Sequence, residues 1–294
     1  MQLVRLQIAR IHSFLVFGVC SILLSCADTK KETPVPNYQT EEVETAEPKS
    51  EIIITNQGHR RVLDMMKKTG DYNQLLAKKD VVYEYTYRTP DGKEDISTEK
   101  YTFANEKSLG EYGKHERTLA EMEGKLVQGF DGEDFWVTLD GKRTVDSTAV
   151  EGAQFTRKTN FFWFAMMQKM GDPGLIYEPK GEKTVDGKNY NVVRVSYESP
   201  DDTPKDIYEL YINTDTQLVD HFLFTVVDKG VTDQPLLMKV TYETFDGLMI
   251  PTYRKYTKST WEGTVAENAK WTEEICKNVK FNQEVVASEF TAPQ

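Results

Sequence analysis

Beyond residue 80 the chain alternates between apolar and polar side chains with a period of two. Val81, Tyr83, Tyr85 and Tyr87 fall on one side, with Glu84, Thr86 and Arg88 on the other, the signature of a half-buried strand. Thr89-Pro90-Asp91-Gly92-Lys93 then reads as a turn, because Pro presets φ and Asp-Gly accepts positive φ. The same alternation predicts strands over residues 97–104, 125–129, 135–139, 189–198, 207–213, 218–227, 236–244, 250–259 and 270–281. Turns such as Asp140-Gly141, Asp186-Gly187 and Asp246-Gly247 separate several of them. Connections this short make neighbouring strands antiparallel, and no helix–strand alternation points to a parallel sheet. The reading is mainly β with α: a single large curved antiparallel sheet or half-open barrel of about ten strands.

Two stretches break the alternation. Within residues 52–79, Val62, Leu63, Met65 and Met66 sit among Arg60, Arg61, Lys67 and Lys68, the pattern of an amphipathic helix that Gly70 stops. A second short turn over residues 72–77 carries Leu75 and Leu76. Residues 160–170 read Asn-Phe-Phe-Trp-Phe-Ala-Met-Met-Gln-Lys-Met, followed by Gly171-Asp172-Pro173-Gly174. Met and Ala favour helix there and the Gly-Asp-Pro-Gly run ends it. A helix apolar all round must be buried all round, or meet lipid or ligand. Phe161, Phe162, Trp163, Phe164, Met166, Met167 and Met170 are therefore candidates for the plug or lid of a hydrophobic cavity. Tyr83, Tyr85, Tyr87 and Trp136 are candidates for its wall.

Residues 1–25 look like an export signal. Arg5 and Arg10 precede an apolar run over residues 11–24, shorter than the ~20 residues of a membrane span. Leu23-Leu24-Ser25-Cys26 resembles the bacterial lipobox. The resemblance implies cleavage before Cys26 and lipidation of its thiol and new amine, an anchor of more than one chain, which stable attachment requires. Ala27, rather than Asp, follows the cysteine, which by the same resemblance points to the outer membrane. Residues 26–50 hold Pro34, Pro36 and Pro48 among many acids and threonines, too little apolar surface to order a tether. Residues 51–294 then form one domain.

Within that domain, Gln128-Gly129-Phe130-Asp131-Gly132 running into Phe135-Trp136 resembles a hairpin of the outer-membrane lipoprotein-sorting superfamily, the LolA/LolB/RseB-like half-barrels. Residues 208–218 are similar to that family's strand–Asp/Thr turn–strand unit, and residues 246–251 to its Asp-Gly turn leading to a proline. The resemblance implies an unclosed barrel around a hydrophobic cavity that takes or senses acyl chains. Unlike the family's soluble carrier, this chain bears its own anchor sequence.

Composition narrows the function further. Lys and Arg number 36 against 47 Asp and Glu, a formal charge of −11, which disfavours nucleic acid as a partner. Three cysteines make no disulfide framework; Cys276 reads as a small core residue. Phosphate-binding loop, dinucleotide, nucleophile-elbow and zinc-protease patterns are missing, and the reading has no catalytic residue, metal or cofactor. His59 is expected on a solvated helix face, His115 exposed and His221 at the surface or paired. Trp261 and Trp271, near the last strands, suit either a core or a binding wall. The expected function is an anchored envelope lipoprotein that binds a lipid, lipopeptide or lipoprotein acyl group. Its partners are the bilayer through Cys26, the acyl ligand, and an envelope protein. The alternatives are a glycan-binding or structural lipoprotein with a filled barrel and, third, a hydrolase.

Overall fold

The computed structural model describes residues 53–199 and 202–293. The export signal, Cys26 and the tether lie outside the described residues. Helix α1, Gln57–Thr69, begins where the Asn56 side chain accepts a hydrogen bond from the His59 amide, 3.0 Å. It ends at Gly70, whose φ is 88°. Its buried face is Val62, Met65, Met66 and Thr69, the spacing of one helical stripe. Helix α2, Tyr72–Leu76, is capped by Asp71.

One open antiparallel sheet of thirteen strands follows. Strands β1 (Asp80–Arg88), β2 (Glu94–Thr102), β3 (Lys107–His115), β4 (Leu126–Phe130), β5 (Phe135–Leu139) and β6 (Lys142–Arg143) form a meander. Strands β7 (Leu175–Val185), β8 (Lys188–Tyr197), β9 (Tyr208–Asn213), β10 (Val219–Val226), β11 (Val231–Phe245), β12 (Leu248–Lys258) and β13 (Thr272–Phe281) form a second. The two meet where β1 pairs antiparallel with β13. Strands β6 and β7, adjacent in sequence, are consequently the two opposite edges of the sheet. Helix α3, Ser147–Lys169, joins them across one face. At 1.5 Å per residue, its 23 residues span about 35 Å.

The face that carries the helices holds the largest clusters. Near its start, α3 sets Ala149 and Ala153 on Tyr112, Leu126 and Val137. Mid-helix, Phe161 and Phe164 pack on Tyr83, Tyr101 and Phe103 of β1, β2 and the turn after β2. Its last turns place Met166, Met167 and Met170 among α1 residues and β7–β11. The other, outer face is covered in two places. Leu109 and Trp136 lie under Phe290 near the C-terminus. Tyr211, Leu223 and Leu237 lie under Trp261, Val265 and Trp271. Strand β9 is therefore buried at all six positions, Tyr208, Leu210 and Ile212 inward and Tyr211 outward.

The structure amends several expectations. The described residues form thirteen strands, where alternation predicts about ten; β3, β6 and β7 are additional. Helix α3 starts thirteen residues before residue 160. His59 is buried, stacked on Tyr177 with ring centroids 4.3 Å apart, because α1 turns that residue onto β7. Cys276 is a buried free thiol, as its composition suggests.

Candidate functional site

The inner face is not completely filled. Between the first half of α3 and strands β9–β12 lies an open cavity of about 990 Å³, at the upper end of the usual range for ligand pockets. Its floor follows from strand pairing. Tyr208 opposes Phe224 across β9–β10, and Met238 opposes Tyr256 across β11–β12. Period-two alternation sends these four side chains to one face. Trp163 meets Phe224 edge-on at 5.2 Å. Phe155 and Phe162 of α3 supply the roof.

The far wall is Tyr85 and Tyr87 of β1. The Tyr87 and Tyr256 hydroxyls bond each other, and the Arg117 guanidinium lies 4.0 Å from the Tyr87 ring centre. Burial raises the pKa of Tyr87 above the ordinary tyrosine value, as it does for Tyr85, so both stay neutral. Near the rim, Asp206 accepts from the Val227 amide at 2.7 Å, and burial raises its pKa. Lys229 caps the Phe155 ring at 4.1 Å. Lys158 and Lys205 add further positive charge. The result is an aromatic and aliphatic chamber with a charged mouth.

Two buried arginines hold the roof down. Arg157 of α3 bonds Glu99 of β2 through Nη1, 2.6 Å, and Nη2, 3.1 Å. Arg254 of β12 bonds Glu274 of β13 at 2.9 Å through Nε, and its Nη1 donates to the Trp163 carbonyl of α3 at 3.2 Å. Glu274 itself reaches the cavity lining.

The expected site residues divide by direction. Phe162, Trp163, Tyr85 and Tyr87 line the cavity. Phe161 and Phe164 face β1 and β2 instead, where Phe164 stacks on Tyr83 at 4.9 Å. Met166, Met167 and Met170 fill the core beneath α1. Trp136 lies apart, on the outer face, its indole donating to the Phe290 carbonyl at 2.8 Å. Strand alternation is the reason: Val137 beside it faces α3. Phe155, Phe224, Met238 and Tyr256 complete the site and are not among the expected residues. Phe155 falls in the polar start of α3; the other three stand in predicted strands whose facing direction one strand alone does not reveal.

Among the described residues no cluster of His, Cys, Asp and Glu could hold a metal ion, and no helix is long and apolar enough to cross a membrane. Residues 133–244, from the turn before β5 to late β11, match the model of a family of unknown function, DUF6503. That span includes α3 and most of the cavity floor. None of the curated proteins matches the sequence. Solved structures similar to the chain include a DUF1329 family protein from Desulfovibrio piger, 13% identical, with a TM-score of 0.49 over 81% of this chain and 98% of that one. A domain named for outer membrane lipoprotein sorting, from Vibrio parahaemolyticus, is 10% identical with a TM-score of 0.47, covering 79% and 95%. A LolA superfamily protein from Nitrosomonas europaea is 14% identical with a TM-score of 0.42, covering 75% and 97%. The fold itself, an open antiparallel sheet with a helix laid across its inner face, is the half-barrel arrangement that the sequence motifs resemble.

Proposed function

We propose that this chain is an envelope lipoprotein, anchored to the outer membrane through acylated Cys26, that holds the acyl chain of a lipid, lipopeptide or lipoprotein in its inner cavity. The observation that carries the reading is the cavity of about 990 Å³, floored by Tyr208, Phe224, Met238 and Tyr256 and roofed by Phe155, Phe162 and Trp163. Each methylene moved there from water contributes about 0.8 kcal/mol. The charged mouth suits a polar headgroup left at the rim. Arg157 and Arg254 pin α3 to the sheet, so the chamber stands open without movement of that helix. The role is that of a carrier, sensor or accessory factor, and it includes no catalytic step.

The unit Ile52–Gln294, exported to a bacterial periplasm and purified without detergent, tests the ligand. Native mass spectrometry with lipid extraction should find a bound amphiphile, and a fluorescent fatty acid should bind and be displaced by it. Leu236→Trp, which places an indole at the cavity lining, should weaken probe uptake at least about tenfold, the loss of roughly two buried methylenes. A clean apo mass together with no probe uptake overturns the reading. Cys26→Ser in the full chain should abolish palmitate labelling and release the protein from membranes; retention of both label and membrane association would sink the anchor.

A further inference from the structure

The outer face of the sheet carries a second concavity, separate from the acyl cavity. It encloses about 610 Å³. Its base is a cross-strand row: Tyr211 opposes His221, His221 opposes Lys239, and Lys239 opposes Lys255. Alternation puts these residues on the face opposite Leu210, Phe222 and Met238, which belong to the inner core. The His221 ring stacks on Tyr211 at 4.3 Å and meets Tyr190 edge-on at 5.0 Å.

The lysine pair is the unusual feature. Like charges directly opposite across an antiparallel pair are destabilising. This one occurs in a chain whose formal charge is −11. Among the described residues neither ammonium has an ion-pair partner; both lie against the Trp271 ring, at 5.9 and 5.1 Å from its centre. The carboxylate across from Lys255, Glu273, is already engaged by Arg88 at 2.9 Å and the Tyr253 hydroxyl at 2.6 Å. Asp220, beside His221, accepts from Tyr190, Asn213 and Lys188. Glu273 and Asp220 are thus engaged by other partners, and Glu262 is held by Thr260; Asp186 also lies in the lining. Among the described residues the two ammonium groups have no carboxylate of their own and the Trp271 indole N–H has no hydrogen-bond acceptor.

We propose that this groove is a saccharide-binding site for a pyranose bearing a carboxylate or phosphate. The anionic group would bridge Lys239 and Lys255, a charge-assisted contact. The apolar C–H face of the ring would lie against aromatic surface, which sets a sugar apart from a bare anion. The site is independent of the acyl cavity, since the sheet separates them.

Calorimetry on the full chain in a detergent without a sugar headgroup tests it, with trigalacturonate, maltotriose and inorganic phosphate as probes. Trigalacturonate should bind, with maltotriose and phosphate each at least about tenfold weaker. The surface double variant Lys239→Gln/Lys255→Gln should lose at least about tenfold in trigalacturonate affinity. Trp271→Leu should weaken it as well, with the thermal midpoint checking that both variants fold. Fatty-acid uptake by the inner cavity should not change in the lysine variant. No heat with trigalacturonate, equal binding of phosphate alone, or binding indifferent to the lysine pair would each overturn the proposal.

Discussion

Arg157 and Glu99 form an ion pair in which neither side chain touches solvent, linking the middle of α3 to the centre of β2. The Tyr101 hydroxyl donates to the same carboxylate at 2.9 Å, and Ser97 does so at 2.6 Å. Breaking one partner of such a pair leaves a charge stranded and costs about 3–5 kcal/mol. Arg157→Met and Glu99→Leu should each lower stability by that order in urea unfolding of Ile52–Gln294. The double variant Arg157→Met/Glu99→Leu should recover much of the loss. Simple additivity of the two single effects would show that the pair is not a unit.

The pair also explains a glycine. A Cβ on Gly110 of β3 would stand 2.5 Å from Arg157 Nη1. Gly110→Ala should therefore destabilise the domain by about 1–3 kcal/mol through overpacking. In an Arg157→Met background the penalty should shrink, a coupling that a double-mutant cycle measures directly.

His221 makes stability depend on pH in a defined direction. Burial pushes its pKa down to about 4 from 6.5, with Lys239 adding to the effect and Asp220 opposing it. The unfolded chain takes up that proton at a higher pH than the folded one. Stability contributed by the neutral ring is therefore complete above pH 6.5 and drains away as pH falls towards 4. The loss should reach about 2 kcal/mol after allowance for partial exposure. His221→Gln should flatten this part of the profile relative to the parent, as urea midpoints between pH 7 and 4.5 will show. A variant with the same slope as the parent would remove His221 from the account.

The C-terminal segment is a structural clasp for the N-terminal arm of the sheet. Phe290 is fully buried against Leu109 and Trp136, and its carbonyl receives the Trp136 indole. Phe290→Ala should cost about 3–5 kcal/mol. Gly129→Ala should be damaging from the other side, because its Cβ would meet the Trp136 ring at 2.2 Å. Trp136 emission should shift to longer wavelength in both variants as the indole is exposed. Unchanged emission would mean the clasp is not what shields it.

Buried Cys276 should be silent in the native state. Its pKa rises to about 11, chiefly through desolvation, and the thiolate is the reactive form. In Ile52–Gln294 it is the single cysteine, so a thiol reagent should label nothing in buffer and one equivalent in denaturant. Fast labelling of the folded unit would contradict the packing around Tyr83 and Tyr85.

Strands with regular alternation and tight turns were readable because both signals are local. Tyr83, Tyr85 and Tyr87 share a face by spacing alone, and Asp186-Gly187 and Asp246-Gly247 adopt the positive φ pair that such hairpins need. Strand β3 was hidden for a tertiary reason. Gly110 dilutes its pattern, yet that glycine exists to admit Arg157 from a helix 47 positions away in the chain. The start of α3 was hidden likewise. Its inward residues are Ala149, Ala153 and Arg157, two small side chains and a charge, which do not read as an apolar stripe. Edge strand β7 buries little besides Tyr177, so it lacks the alternation that marks a half-buried strand.

The amino-acid sequence by itself determined the element types, the antiparallel pairing, the aromatic helix segment and the acidic balance, since each follows from residues within a turn or two of one another. Tertiary structure alone decided that β6 and β7 are opposite edges, that Phe162 and Trp163 face a cavity while Phe161 and Phe164 face the core, and that Lys239 and Lys255 lie opposite each other against Trp271. Those outcomes depend on which faces meet across long chain separations. Voids, buried charges and opposed cations are properties of that meeting, and period and propensity carry no record of them.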